Sequence, residues 1–192
     1  MPQGKWNQYL DLDIIHFQED EVFVDCGAYI GDSFVEFVKT YKGSYKAYCY
    51  EIMASNLDEL RKNVQDNPDV VIRPCAVGNE EREISIIQAE DSSSSRLGEG
   101  EQMVSMVTLD SDIKEKITFI KADIEGAEIK MLQGAQWHIQ QEKPKLAISV
   151  YHGNSDILDI PLLIDQMKSE YKFYLRYYGG NLYPNEIVLY AV

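Results

Sequence analysis

The sequence predicts an α/β fold with a mostly parallel, Rossmann-like sheet. Strand-like apolar segments alternate with amphipathic helical segments along most of the chain, and several of these strands end in an acid or another polar residue. The last two strand-like segments are joined by a turn-rich stretch. Alternating strands and helices form parallel sheets with right-handed crossovers, whereas a short turn joins antiparallel partners. We therefore expect a parallel sheet that ends in an antiparallel hairpin.

Five segments in the first half of the chain support the parallel sheet. Their apolar residues either form a short run, as in a buried strand, or recur at helical spacing. The segments are the strand VFVDCG, the helix DSFVEFVKTYKG, the strand KAYCYE, the helix SNLDELRKNVQD and the strand VVIRPCAVG. The first helix places Phe34, Val35, Val38 and Tyr41 on one face, and Ser55 is the expected N-cap of the second helix.

The second half adds a small β insertion, two more strand–helix pairs and the hairpin. EREISIIQ and MVSMVTLD are expected to form the insertion, with AEDSSSSRLGEGE between them as a flexible surface loop or a lid over the site. The remaining segments are the strand ITFIKADIEG, the helix AEIKMLQGAQWHIQQ, the strand KLAISVYH, the helix DILDIPLLIDQMKSEY, and the paired strands KFYLRYY and EIVLYAV. Pro161 is tolerated only if it lies in the first turn of its helix. Because no repeat or linker interrupts this pattern, we expect residues 1–192 to form a single domain.

The net charge limits the kinds of partner that the chain can have. It has 192 residues and a formal charge of −14, which disfavours nucleic acids and anionic membranes. No apolar run is long enough to span a membrane, and the first residues lack the charged-then-apolar pattern of a secretion signal. The sequence therefore predicts a soluble, cytoplasmic protein with no membrane or nucleic-acid partner.

Three cysteines at long spacings indicate reduced thiols rather than disulfides. A zinc site formed by Cys26, Cys49 and Cys75 is the alternative, but no CxxC pair supports it. We assign no metal from these residues.

The stretch VFVDCGAYIGD, residues 22–32, lies at the expected ligand-binding edge, because ligands of parallel sheets bind beyond the carboxyl ends of the strands. Gly27 and Gly31 lack the third glycine of a dinucleotide-binding motif. Asp25 and Asp32 flank the turn, where their charges would oppose a pyrophosphate. They would instead favour a ligand with positive charge, such as the ammonium and sulfonium groups of S-adenosylmethionine.

The second strand ends at Glu51, where acidic residues of nucleoside-binding sheets accept hydrogen bonds from ribose hydroxyls. Glu51 and the glycine turn together favour a nucleoside ligand without phosphates. Each is weaker evidence alone, because an Asp at a strand end is often only a helix N-cap and two glycines four residues apart occur in many unrelated chains.

Several blocks of the sequence resemble one enzyme family. VDCGAYIGD, YCYEIMASN, IKADIEGAE, MLQGA, PKLAISVYH, FYLRYY and IVLYAV are similar to the FkbM family of S-adenosylmethionine-dependent methyltransferases. The resemblance extends from about Gln8 to Val192, and the DIEGAE and SVYH blocks are its most specific parts. It implies a class I methyltransferase fold with seven strands and an antiparallel last strand. It also implies O-methylation of a sugar, a glycan precursor or another small hydroxyl compound, with S-adenosylhomocysteine as the product.

The resemblance also implies roles for residues at the strand ends. Asp25 and Gly27 would line the methionine end of the cofactor, within a turn that also includes Ala28, Tyr29, Gly31 and Asp32. Glu51 would hold the ribose, and Ile52 and Asn56 would flank the nucleoside. Ala76 and Val77 would border the adenine, and Asp123 would lie next to the methyl group.

Three residues are candidates for the chemistry. Asp123 and Glu125 follow the fourth parallel strand and would face the same side if that segment stays extended. They could instead compensate the N-terminus of the helix that begins near Ala127. His152, at the end of the fifth strand, has a suitable pKa for accepting the proton of an acceptor hydroxyl and is expected on the acceptor side. The alternative is a hydrogen-bonded histidine with no part in proton transfer.

A magnesium ion held by Asp123 and Glu125 is a further hypothesis, with Asp110 as the third ligand. The aromatic residues of the closing hairpin could form a wall against which a sugar stacks, or they could be sheet core. They are Tyr171, Phe173, Tyr174, Tyr177, Tyr178 and Tyr183.

Two other functions compete with the methyltransferase. One is a non-catalytic module that binds the nucleoside but has a degenerate acceptor site. The other is a nicotinamide-dependent oxidoreductase, which the missing glycine and Asp25 disfavour.

Overall fold

The computed structural model describes residues 8–87, 96–97, 102–179 and 186–192. The predicted loop AEDSSSSRLGEGE lies outside these ranges apart from Arg96 and Leu97, so its role as a lid stays a prediction. The strands are β1 (Asp20–Cys26), β2 (Ser44–Tyr50), β3 (Val70–Arg73), β4 (Ala76–Val77), β5 (Arg82–Ile87), β6 (Arg96–Leu97), β7 (Gln102–Val107), β8 (Phe119–Ala122), β9 (Lys145–Ser149), β10 (Phe173–Tyr177) and β11 (Ile187–Ala191). The helices are α1 (Asp32–Thr40), α2 (Ala54–Val64), α3 (Leu109–Asp112), α4 (Glu128–Gln133), α5 (Gln136–Glu142) and α6 (Asp156–Met167).

The main sheet confirms the predicted fold class. Its seven strands lie in the order β10-β11-β9-β8-β1-β2-β3. β1 lies between β8 and β2 and pairs in parallel with both, and β8 pairs in parallel with β9. β11 is antiparallel to both of its neighbours, as the hairpin predicts. The carboxyl ends of β1, β2 and β8 therefore meet at one edge.

Successive side chains of a strand point to opposite faces of the sheet, and here both faces carry apolar residues. Helices therefore cover both faces. On one face, Val24 and Ile120 pack with apolar residues of α3 to α6. On the other, Phe23 and Phe119 pack with α1, α2 and the segment that contains Tyr9. No helix in the described ranges is both long enough and apolar enough to cross a membrane.

The predicted third strand, VVIRPCAVG, is wrong as a single element. β3 belongs to the main sheet, but β4 belongs to a second sheet with the order β4-β7-β5-β6, which forms the expected β insertion. Pro74 lies between β3 and β4 and has no N–H to continue the ladder of hydrogen bonds. Ala76 therefore begins a strand of the smaller sheet instead of following a strand of the main one.

The predicted helix from Ala127 to Gln141 is also wrong as a single element, because α4 ends at Gln133 and α5 begins at Gln136. Gly134 lies at the break. A Cβ atom there would be 1.8 Å from the carbonyl oxygen of Gly78, so only glycine fits against this backbone.

Two smaller expectations about helix ends were wrong. Met53, not Ser55, precedes the first residue of α2, and Ser55 lies within the helix. Pro161 lies beyond the first turn of α6, which begins at Asp156. Proline has no backbone N–H, so Pro161 cannot donate a hydrogen bond to the carbonyl of Ile157 one turn earlier. Ile157 is exposed, so water can supply that hydrogen bond instead.

Candidate functional site

A cavity of about 620 Å³ lies at the edge where β1, β2 and β8 end, and it is the candidate functional site. Most of the predicted site residues line it. These are Gly27, Tyr29, Asp32, Glu51, Ile52, Asn56, Ala76, Val77, Asp123 and Glu125. Four other predicted residues, Asp25, Ala28, Gly31 and His152, are not part of the lining. The sheet edge thus brings together segments that are far apart in the sequence.

The glycine turn after β1 is shaped by close packing. Gly27 has a φ of +79°, and a Cβ atom on it would lie 2.0 Å from the carbonyl oxygen of Asp123. Gly31 has a φ of +87° and comes directly before α1. Both positions need glycine, because L side chains rarely adopt a positive φ. The turn therefore brings the end of β1 against the segment that follows β8.

Asp25 does not present its charge to the cavity. Its side chain is fully buried, and one carboxylate oxygen lies 2.9 Å from Nζ of Lys121. Burial raises the pKa of Asp25 to about 6, although the Lys121 charge opposes this. Lys121 also donates a hydrogen bond to the carbonyl of Gly27 at 2.7 Å. The expectation that Asp25 attracts a cationic ligand was wrong, because Lys121 neutralises its charge.

Glu51 is held rigidly at the end of β2. Its Oε1 accepts hydrogen bonds from the backbone N–H groups of Ile52 and Met53, at 2.8 and 2.7 Å, and its Oε2 accepts one from Tyr29 at 2.9 Å. Burial raises the pKa of Glu51, and these hydrogen bonds oppose the rise. The side chain of Asn56 is a further hydrogen-bond partner of Glu51, so the carboxylate is held at the cavity wall by contacts on both of its oxygens.

The segment after β8 is a turn, not an extended strand. Glu125 has a φ of +56°, so the expected i, i+2 arrangement of Asp123 and Glu125 was wrong. The turn nevertheless brings both residues to the cavity wall. Glu128, the first residue of α4, accepts a hydrogen bond from the backbone N–H of Ile124 at 2.9 Å. Acids thus stabilise the start of α4 as well as line the cavity.

His152 lies behind this acidic turn. Only 8% of its side chain is exposed, and its Nδ1 is 2.9 Å from Oε1 of Glu128. Its Nε2 is 3.4 Å from Asp123 and 3.8 Å from Glu125. Burial lowers the pKa of His152, but the hydrogen bond and charge of Glu128, together with the charges of Asp123 and Glu125, outweigh this and raise it. We expected the His152 ring on the acceptor side, but it does not line the cavity. Its role as a base stays a prediction.

The sequence analysis missed two tyrosines that bind Asp123. The Tyr9 hydroxyl donates to Oδ2 at 2.7 Å, and the Tyr151 hydroxyl donates to Oδ1 at 3.2 Å. Burial and the charge of Asp123 raise the pKa of the Tyr9 hydroxyl, so it remains a donor. No local pattern marks Tyr9, because it is 114 residues from its partner. Lys121, also missed, had a signal: it is the one charged residue in the apolar strand FIKA.

Two other expected groups lie away from the cavity. Asp110 accepts hydrogen bonds from the backbone N–H groups of Trp137 and His138 at the start of α5 and does not line the cavity with Asp123 and Glu125, so the structure does not support it as the third magnesium ligand. None of the described hairpin aromatics lines the cavity, and Tyr183 lies outside the described residues. Residues 171–178 therefore do not form a sugar-stacking wall at this cavity, and Tyr171 belongs to the hydrophobic core, as the alternative predicts.

The chain matches known proteins in both sequence and structure. The model of the methyltransferase FkbM domain matches residues 25–173. The structure is similar to that of methyltransferase FkbM from Methylobacillus flagellatus, with a TM-score of 0.83 and 27% identity over 99% of this chain and 48% of that one. This chain therefore spans about half the length of that protein. A comparison with curated proteins found no significant match.

More distant structures share the fold. Fibrillarin from Aeropyrum pernix, solved with bound S-adenosylmethionine, has a TM-score of 0.58 and 11% identity over 97% of this chain and 76% of its own. A Streptococcus mutans protein solved in complex with S-adenosylhomocysteine has a TM-score of 0.55 and 12% identity over 93% of this chain and 91% of its own. The match to the domain model covers most of the chain and includes the turn after β1 and the acidic turn after β8. The chain belongs to the FkbM methyltransferase domain family.

Proposed function

We propose that this chain transfers the methyl group of S-adenosylmethionine to a hydroxyl of a sugar, a glycan precursor or another small molecule. The observation that carries the proposal is Glu51, whose carboxylate is fixed by three backbone N–H groups at the wall of the cavity. A fixed acceptor at the end of the second strand suits the vicinal hydroxyls of a ribose. The family supports methyl transfer, and O-methylation of such an acceptor is our proposal.

The cofactor would lie along the edge of the main sheet. Its ribose would donate to Glu51, and its adenine would contact Ala76 and Val77, which border the cavity beyond β3. The methionine end would extend past Gly27 toward Asp123. This arrangement needs no charge on Asp25, because Asp32, Asp123 and Glu125 supply the carboxylates that meet the ligand.

Methyl transfer to a hydroxyl is an in-line displacement that also releases a proton, so the protein must position two reactants and accept that proton. Asp123 and Glu125 line the cavity and are the groups that would contact the acceptor. His152 lies behind both, within 3.4 Å of Asp123 and 3.8 Å of Glu125. We therefore assign contact with the acceptor to the carboxylates and their positioning to His152.

The first test is calorimetric titration with S-adenosylhomocysteine, with NAD titrated in parallel. We expect micromolar binding of S-adenosylhomocysteine that Glu51→Ala weakens at least tenfold. Glu59→Ala is the matched control, because Glu59 is an exposed carboxylate on α2 that pairs with Lys62. Binding of NAD alone would support an oxidoreductase, and no heat from either ligand would refute the proposed cofactor.

A non-catalytic binding module is the competing function, and His152 separates the two. For a methyltransferase, His152→Ala should slow turnover in an acceptor screen with labelled S-adenosylmethionine, while S-adenosylhomocysteine still binds. A module with a degenerate acceptor site would bind the cofactor and label no acceptor in this screen.

A further inference from the structure

We propose that His152, Asp123 and Glu125 bind a divalent metal ion at the wall of the cavity, and that Glu128 orients His152 for this purpose. The proposal does not rest on the proposed function, because ion binding can be measured without a cofactor or an acceptor.

The distances between the possible ligand atoms suit one ion. Nε2 of His152 is 3.4 Å from Oδ1 of Asp123 and 3.8 Å from Oε2 of Glu125. With bonds of about 2.1 Å, these separations correspond to ligand–metal–ligand angles of roughly 110° and 130°. Such angles occur in four- and five-coordinate sites. Asp123, Glu128 and His152 each offer one possible ligand atom, and these atoms lie within 4.8 Å of one another.

The imidazole atom at the centre of this cluster is buried and has no hydrogen bond within the described part of the chain. This atom is Nε2 of His152. Only 8% of the side chain is exposed, and no described residue forms a hydrogen bond with Nε2. A buried polar atom without a partner destabilises the fold, because it has lost its hydrogen bond to water and gained none in return. Its neighbours are carboxylates. An ion between Nε2 and these oxygens would give the atom a partner and neutralise the acids.

Glu128 has the contacts of a carboxylate that orients a ligating histidine. Its Oε1 lies 2.9 Å from Nδ1 of His152 and also accepts the backbone N–H of Ile124. A metal-bound histidine commonly donates its other ring N–H to a carboxylate, which fixes the tautomer and the ring orientation. With the proton on Nδ1, the lone pair of Nε2 points toward Asp123 and Glu125. Tyr9 and Tyr151 hold Asp123 in the same way, by donating to its two oxygens.

The ligand set and its position indicate the class of ion and what it would do. One imidazole and two carboxylates suit Mn²⁺, Fe²⁺ or Zn²⁺ better than Ca²⁺, which prefers oxygen ligands alone. Asp123 and Glu125 line the cavity, so an ion between them and His152 would be reached from the cavity side. A hydroxyl that binds such an ion loses its proton more easily. The site therefore fits an acceptor hydroxyl or water as an additional ligand.

The test is titration of the chelator-treated, desalted protein with Mn²⁺, followed by calorimetry and by the electron paramagnetic resonance signal of the free ion. Mn²⁺ is a suitable probe because it binds thiols weakly, so the cysteines do not interfere. We expect one tight equivalent and, in the pulsed spectrum, coupling of the ion to an imidazole nitrogen. His152→Ala should remove the nitrogen coupling, and Glu128→Gln should weaken affinity by about 10–100-fold.

His16→Ala is the control, because His16 is an exposed histidine outside the cluster. Glu125→Gln alters a ligand that is only partly buried, so it carries the test if His152→Ala fails to fold. Weak binding at several sites, no nitrogen coupling, or equal affinity in Glu125→Gln and His16→Ala would each overturn the proposal. If the unaltered protein binds Mn²⁺ but not S-adenosylhomocysteine, the proposed function is refuted and the metal site is not.

Discussion

The buried ion pair between Asp25 and Lys121 joins β1 and β8 of the main sheet. Lys121 is 4% exposed and Asp25 is fully buried, so each charge depends on the other. Removing one partner of a buried pair leaves an uncompensated charge and typically costs about 3–5 kcal/mol. We expect Lys121→Met to lower the free energy of unfolding by that amount, measured by urea denaturation.

The double variant Asp25→Leu/Lys121→Met is the control for this prediction. Replacing both charges with apolar side chains is often close to neutral, so it should recover much of the loss. Equal stability of Lys121→Met and the unaltered protein would show that the pair does not hold the strands as described.

The contacts of Glu115 predict how the stability of the protein depends on pH. Hydrogen bonds from Lys46 and Tyr48 lower the pKa of Glu115 to about 2. Because the folded-state pKa lies below the unfolded value, this carboxylate stabilises the protein above about pH 4.5, and the contribution is lost as the pH falls toward 2. Both side chains of the Lys46–Glu115 pair are 41% exposed, so solvent screening limits the effect to below about 1 kcal/mol.

The measurement is the urea midpoint of Glu115→Gln at pH 7, 4 and 3. The variant should be less stable at pH 7, and the difference from the unaltered protein should shrink at pH 3. Glu81→Gln, which alters an exposed carboxylate before β5, should show no such convergence. A difference that stays constant with pH would contradict the assigned hydrogen bonds.

At the scale of elements, Gly134 decides where α4 ends. A Cβ atom at this position would lie 1.8 Å from the carbonyl oxygen of Gly78. The position of a Cβ atom is fixed by its own backbone, and the carbonyl is also backbone, so the clash can be relieved only by shifting one of the two segments. Overpacking of this kind costs about 1–3 kcal/mol. Gly134→Ala should therefore lower the midpoint of urea unfolding, although alanine favours helices. Gln136→Ala, at the exposed start of α5, should leave the midpoint within error, and a more stable Gly134→Ala would argue for one continuous helix.

Helix and strand types could be predicted from local pattern, but the breaks within elements could not. Short runs of apolar residues place β1, β2, β8 and β9 correctly, because a strand buried on both faces has apolar side chains on both. The division between β3 and β4 depends on a second sheet, and the division between α4 and α5 depends on the backbone of Gly78. These are contacts between distant segments, which periodicity does not record.

At the scale of the whole molecule, the order of the strands explains which site residues could be predicted. Glu51 and Asp123 each follow a parallel strand, so the topology alone places them at one edge. Tyr9 reaches Asp123 from outside the sheet, and the partner of Asp25 lies on a neighbouring strand, so neither could be read from spacing. Sequence identified the strand ends and the structure supplied their partners.

Ligand binding should stabilise the whole domain if the cofactor proposal is correct. S-adenosylhomocysteine at 100 times its Kd would contribute about 2.7 kcal/mol. For a chain of this length, that corresponds to a rise in Tm of roughly 5–11 °C. Differential scanning fluorimetry should show this rise for the unaltered protein and for Glu59→Ala, but not for Glu51→Ala. An equal rise with NAD would contradict the predicted selectivity.

The charges around the cavity affect how this site performs in a mixture of metabolites. Among the residues that the structure describes, six carboxylates line it against two ammonium groups, one of which is already paired with Asp25. The carboxylates belong to Asp32, Glu36, Glu51, Asp123, Glu125 and Glu186. A cavity lined by one sign of charge slows the entry of ligands of the same sign. ATP and similar polyanions, which are abundant in any cell, would therefore compete poorly for the site, and a scarce neutral or cationic nucleoside could occupy it at low concentration.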